Sequence, residues 1–302
     1  MEEIIRIKSI SQVHEFYGYE KPKHPLVTVL LIDERMTEFE YGDQKYIFDF
    51  FQISLKEGIN GSMSYGRNSY DFEEGTLTFI KPNQVVQVEN THDYKGRAGW
   101  TLIFHPDLLR KSALGRTIED YSFFNYDVHE ALHLSEEEKG SLTSLVEKIE
   151  LEYQYNIDKH SQDLIIANIE MLLKYCKRYY DRQFYTRSNL SKDLIAKFEQ
   201  VMREYYASDK PQELGVLSVK YCANVLAMSS NYLGDLIKAE TGRNAKDHIQ
   251  DYIVEKAKTL IIGSKQTMQE IAYQLGYEYP QGLNRLFKAK TGMSPRQYRK
   301  VN

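Results

Sequence analysis

From Leu26 to about Phe104 the apolar positions fall into short segments rich in aromatic and β-branched residues: LVTVLLI, YIFDFFQISL, TLTFI, VVQVE and WTLIF. Turn formers stand between them, at Glu57-Gly58, Asn60-Gly61, Glu74-Gly75 and Lys81-Pro82-Asn83. Short strands punctuated in this way predict an all-β barrel or sandwich. The period then lengthens. Ser135 to Tyr155 and Ser161 to Arg182 repeat apolar residues at helical spacing, and the second places Leu164, Ile165, Ile169, Leu172, Leu173, Cys176 and Tyr180 on one face. Their short connection predicts an antiparallel pair, whose stripe serves either the chain's own core or a dimer seam. A polar stretch follows, and from Leu190 onward the pattern is helical throughout. The expected map is a β domain at 1–134, a helical pair at 135–182, a linker at 183–189 and an all-α domain at 190–302.

The last of these contains an internal repeat. Ala223 and Leu226 recur as Ala272 and Leu275 at an offset of 49, while Leu233, Leu236, Lys238, Ala239, Thr241 and Gly242 recur at 50. One residue is therefore inserted between the two halves of the second copy. Each copy reads as helix, tight turn, helix. In the first, Val219 to Ala227 supports, Met228-Ser229-Ser230 turns and caps, and Asn231 to Glu240 presents Asn231, Gly234, Asp235 and Lys238 outward. In the second, Thr267 to Leu275 supports, Gly276 permits the turn, and Pro280 opens a helix with Gln281, Asn284, Arg285 and Lys288 outward. Amides, a guanidinium and ammonium groups on one face suit base edges and phosphates; a duplicated hairpin also suits a protein-contact module. The helix expected from Ala245 to Ile261 would hold the two outward helices near the ~34 Å between successive major grooves on one face of B-DNA.

Charge separates the two halves of the chain. The net of −4 divides into +5 for residues 190–302, with 17 Lys+Arg against 12 Asp+Glu, and −9 for residues 1–189. Tyr279 to Asn302 holds Arg285, Lys288, Lys290, Arg296, Arg299 and Lys300 and no acid, the footprint of a polyanion partner.

The region from about Leu190 to Asn302 resembles the AraC/XylS family of transcription regulators. The likeness is carried by MSSNYLGDLIKAETG at 228–242, HIQDYIVEKAKTLI at 248–261 and EIAYQLGYEYPQGLNRLFKAKTGMSPRQYR at 270–299, with the closing KxxTGMSPxxYR run the most specific. The resemblance implies effector-responsive control of transcription and a cupin-like N-terminal β-barrel bearing a small-molecule site. It also implies a homodimer, double-stranded DNA as the main partner and RNA polymerase as a further candidate. No cofactor is called for. Base-reading positions of the family correspond to Asn231, Gly234 and Asp235, and the second outward face adds Gln281, Asn284 and Arg285. Ser229, Ser230, Lys238, Lys288, Arg296 and Arg299 are placed to hold phosphates. Asp235 either accepts from a cytosine amino group or is a solvated acid. The chain departs from the family at Gly282-Leu283, where a bulky aromatic pair is usual, and at Ile253, where an arginine is usual four residues before Ala257.

Other chemistries find little support. A composition of 42% hydrophobic and 27% charged residues is that of a globular protein, and no apolar run approaches the roughly 18–20 residues of a membrane span. The opening MEEIIRIKSI lacks the features of a secretory signal, so a cytoplasmic location is expected. Cys176 and Cys222 read as core thiols. The eight histidines form no HxH motif, and the His129/His133 pair has no third ligand nearby, so no metal site is expected. With no nucleophile array, phosphate loop or paired carboxylates, an enzyme reading has no residues to rest on. Tyr46, Phe48, Phe50, Tyr65, Phe79 and Trp100 suit either a core or the lining of an apolar pocket.

Overall fold

The computed structural model describes residues 4–32, 45–56, 63–65, 68–70, 75–87, 99–127, 130–155, 158–186 and 188–301. The turns expected at Glu57-Gly58 and Asn60-Gly61, with His129 and the side chain of Tyr65, lie outside the described residues. The chain divides into two compact units, Met1–Gln183 and Phe184–Asn302.

The first unit begins with β1 (Ile4–Ile7), α1 (Ile10–Phe16), β2 (Val27–Leu31), β3 (Lys45–Phe48) and β4 (Phe51–Lys56). It continues through a small hairpin, β5 (Met63–Tyr65) and β6 (Asn68–Tyr70), to β7 (Thr76–Ile80), β8 (Val85–Gln87) and β9 (Gly99–Phe104). After the short α2 (Ala113–Thr117) come β10 (Leu132–His133), α3 (Glu136–Gln154) and α4 (Ser161–Thr186). YIFDFFQISL is two strands rather than one, split at Asp49-Phe50. A five-stranded antiparallel sheet runs in the order β10-β7-β4-β9-β2, and a three-stranded sheet in the order β1-β3-β8. Among the described residues both sheets stay open, with β2 and β10 as the edges of the larger one, so these strands do not complete a barrel.

Strand alternation assigns the two faces of the larger sheet. Leu30 and Ile103 join Ile7, Ile10, Val13, Tyr46, Phe48 and Phe50 in a core between the sheets and α1. The other face lies on the helical pair: the Trp100 indole donates to Thr143 at 3.0 Å, and the Phe79 ring packs 6.1 Å from that of Tyr180. The pair is antiparallel, since Arg182 near the end of α4 bonds Glu138 near the start of α3 at 2.8 Å. Of the predicted stripe on α4, Ile165, Ile169, Leu172, Leu173, Cys176 and Tyr180 are buried in this unit, whereas Leu164 is exposed. Apart from Leu164, the stripe is therefore intrachain core.

Side chains bond outward backbone groups on both edges of that sheet. On β2 the Val29 N–H donates to the Tyr153 hydroxyl at 2.9 Å, and the Leu31 carbonyl accepts from Tyr19 at 2.8 Å. On β10 the Gln183 amide accepts from the His133 N–H at 2.8 Å and donates to the Ala131 carbonyl at 3.3 Å, as a neighbouring strand would.

The second unit holds α5 (Ser188–Ala207), α6 (Lys210–Leu214), α7 (Val219–Val225), α8 (Ser230–Thr241), α9 (Ala245–Gly263), α10 (Met268–Gln274), α11 (Pro280–Thr291) and α12 (Pro295–Val301). Helix α4 runs on to Thr186 and α5 starts at Ser188, so regular structure occupies most of the stretch expected as a linker. Cys176 and Cys222 are buried free thiols; burial pushes both up, Cys222 to about 12.

Candidate nucleic-acid interface

The two copies of the repeat fold alike, down to individual hydrogen bonds. Helix α7 ends at a turn through Ala227, whose φ is +54°, and α10 ends at a turn through Gly276, whose φ is +86°. Both recognition candidates, α8 and α11, end on a glycine in the left-handed region, Gly242 at φ +72° and Gly292 at φ +79°. Each glycine N–H donates to a lysine carbonyl 2.9 Å away, of Lys238 and Lys288 respectively. The threonine before each glycine turns its hydroxyl back onto the helix, Thr241 to the Ile237 carbonyl and Thr291 to the Phe287 carbonyl, both at 2.7 Å. The same hydroxyls accept from Arg243 N–H at 3.2 Å and Met293 N–H at 3.4 Å. The repeated KAxTG sequence is thus a stop signal that fixes the exit direction of the chain twice.

The helix starts differ. Ser229 is the cap of α8, its hydroxyl accepting from Tyr232 N–H at 3.2 Å, and Ser230 is the first helical residue. Helix α11 has Tyr279 at its cap position with no side-chain bond, and Pro280 supplies the helical φ instead. The residue inserted in the second turn is repaid by one aromatic exchange. Tyr232 is buried in the first copy of the repeat, while Gly282 holds the matching place in the second copy. A β-carbon on Gly282 would lie 2.8 Å from the Tyr277 ring. Tyr277, from the enlarged turn, therefore fills the space that an aromatic at 282 would take, which accounts for the missing bulk at Gly282-Leu283.

Burial sorts the remaining positions. Leu233, Leu236, Ile237, Leu283 and Phe287 are buried and Leu286 is half-buried. Asn231 and Lys238 on α8, and Gln281, Asn284, Arg285 and Lys288 on α11, are exposed, with Gly234 and Asp235 half-buried. The two faces are electrostatically unequal: α8 offers one acid and one base, α11 two bases and no acid. Arg285, Lys288 and Arg296 are exposed and pair with no acid among the described residues.

Other cations of the basic terminus are committed within the fold, which charge counting did not reveal. Helix α9 packs against α8, α10, α11 and α12. Lys290 of α11 lies 2.9 Å from Asp251 and 3.7 Å from Asp247 of α9, and Arg243 pairs with Asp251 from the α8 side. Burial by itself would raise the Asp251 carboxyl; the hydrogen bonds and charges of Lys290 and Arg243 outweigh it and hold the group below its ordinary range. Arg299 is exposed, but its Nε donates to the Ile261 carbonyl near the end of α9 at 2.9 Å. Ile253, in place of the usual arginine, is buried.

A family model described as a helix-turn-helix domain matches residues 222–301. The uncharacterized HTH-type transcriptional regulator YobQ of Bacillus subtilis (strain 168) is 29% identical over 83 residues, 28% of this chain and 34% of that protein. The uncharacterized HTH-type transcriptional regulator YijO of Escherichia coli (strain K12) is 27% identical over 143 residues, 47% of each chain. The chain spans between about a quarter and a half of the length of the curated relatives it matches. Among solved structures, the C-terminal domain of the response regulator yesN from Fusobacterium nucleatum is 25% identical, covering 35% of this chain and 98% of that one with a TM-score of 0.32. ToxT from Vibrio cholerae is 13% identical over 90% of this chain and 97% of its own, with a TM-score of 0.29.

Proposed function

We propose, on the premise that the C-terminal unit carries a helix-turn-helix domain of the AraC type, that the chain is a transcription regulator whose two recognition helices read adjacent major grooves of one duplex. The observation that carries this reading is the duplicated helix, turn and helix, with the acid-free outward face of α11 in one copy. Helix α9, 19 residues and so about 28 Å long, suits a spacer between grooves ~34 Å apart. Asn231, Gly234, Asp235, Gln281, Asn284 and Arg285 face base edges; Ser230, Lys238, Lys288 and Arg296 hold phosphates, with Ser229 and Arg299 contributing whatever their structural bonds leave over. Selection of duplexes from a random pool by the full chain is expected to enrich a bipartite site with half-sites about one helical turn apart. Failure to enrich any sequence, with salt-independent retention of duplex, would falsify it.

The first unit, in this reading, is a cupin-like sensor for a small apolar or amphipathic effector, and it brings two copies together, with RNA polymerase as a further partner. Leu151, Leu164 and Met171, each 48% exposed on the helical pair, support the dimer. Sedimentation of the full chain is expected to show a dimer that Met171→Glu weakens; a monomer at every concentration overturns that part.

A further inference from the structure

Gly234 stands in the middle of the twelve-residue helix α8, where glycine is the poorest choice after proline. The other glycines of this unit have local reasons. Gly215, Gly242, Gly276 and Gly292 adopt positive φ, a β-carbon on Gly282 would strike the Tyr277 ring, and Gly263 is the last residue of α9. Gly234 has none: its φ is ordinary, and a β-carbon there would meet nothing within 4 Å. The fold would accept alanine and be better for it.

Its place on the helix supplies a reason outside the fold. Gly234 lies between Asn231 and Lys238 on the outward face, three residues after one and four before the other, which lowers the relief at the centre of that face. At the matching place α11 carries Asn284, a full side chain that is exposed. We propose that Gly234 is a steric notch that lets the backbone of α8 seat against base edges on the floor of the major groove, so that the first helix-turn-helix is positioned by depth and the second reads by side chains. This rests on the DNA-binding reading above and adds a specificity-determining role for the missing side chain.

The test uses the full chain, a duplex enriched by the wild type from a random pool, and an unrelated duplex of equal length. Gly234→Ala places a better helix former in open space, so its melting temperature is expected to rise, while Gly234→Leu adds bulk to the same face. Affinity for the enriched duplex is expected to fall roughly tenfold with alanine and further with leucine, a loss of the size of one mismatched base pair or more. Affinity for the unrelated duplex should stay within about twofold, because that binding depends on phosphates. The notch is overturned if either variant binds the enriched duplex as well as wild type, if both duplexes lose equally, or if the melting temperature of Gly234→Ala falls. A wild-type chain that enriches no duplex overturns the DNA-binding reading and the notch together, whereas enrichment with unaffected variants overturns the notch alone.

Discussion

Tyr277 and Gly282 show how a single insertion is absorbed. The enlarged second turn delivers an aromatic ring to the place that the first copy of the repeat fills from within its helix, and Gly282 leaves the room. Gly282→Ala is expected to destabilise the chain by about 1–3 kcal/mol through this overlap. Combined with Tyr277→Ala it should cost less than the two single changes added together, as denaturant melts of the four proteins would reveal. Arg285 and Lys288 separate reading from gripping. A guanidinium can bond both acceptors of a guanine, so Arg285→Ala should cost about 1–3 kcal/mol on the preferred site and relax choice at one base pair. Lys288→Ala should weaken all duplexes alike and lower the salt slope by about one. Equal losses for Arg285→Ala on every sequence would reassign that residue to the backbone.

Among the elements, α9 does more than set a distance. Asp251 receives Arg243 from one helix-turn-helix unit and Lys290 from the other, so one carboxylate ties both to the linking helix. At 39% exposure the group is well solvated, and Asp251→Asn is expected to cost no more than about 1 kcal/mol. Its folded pKa is depressed, so the stabilisation is complete above the unfolded value of 3.8 and disappears as pH falls through the lower folded value. Urea midpoints of wild type and Asp251→Asn should thus differ by a constant amount near neutrality and converge in acid. A gap that persists at the lowest pH would show that the charge is not the cause. This tie was illegible beforehand because charge counting along a chain does not say which cations meet acids in space. The helices of the two repeats and the one that links them were legible to within a few residues, because Ser229 and Pro280 mark starts in the sequence; the cap at Ser218 and the two threonine-glycine stops emerge only from the hydrogen bonds.

For the molecule as a whole, the charge asymmetry maps onto the two compact units, and residues 184–302 expressed alone should fold and bind duplex DNA with affinity that falls steeply with salt, since phosphate contacts release counterions. Filter binding across a salt series checks this, and a flat response would remove the electrostatic basis of the interface. The N-terminal unit was legible in kind but not in arrangement. Its strands follow from aromatic and β-branched runs, yet β1, α1 and β10 give little signal in short mixed segments, and alternation alone does not decide whether a sheet closes. What the open sheet requires is visible in Tyr19, Tyr153, Arg182 and Gln183, whose side chains bond outward backbone groups along β2 and at β10. An unoccupied sheet edge is a template on which another chain can add a strand, and such additions propagate into insoluble aggregates. The helical pair therefore also covers a sheet edge: losing the amide at Gln183 is expected to lower the melting temperature and to raise light scattering of the folded protein, whereas a loss of stability without added scattering would limit its role to stability.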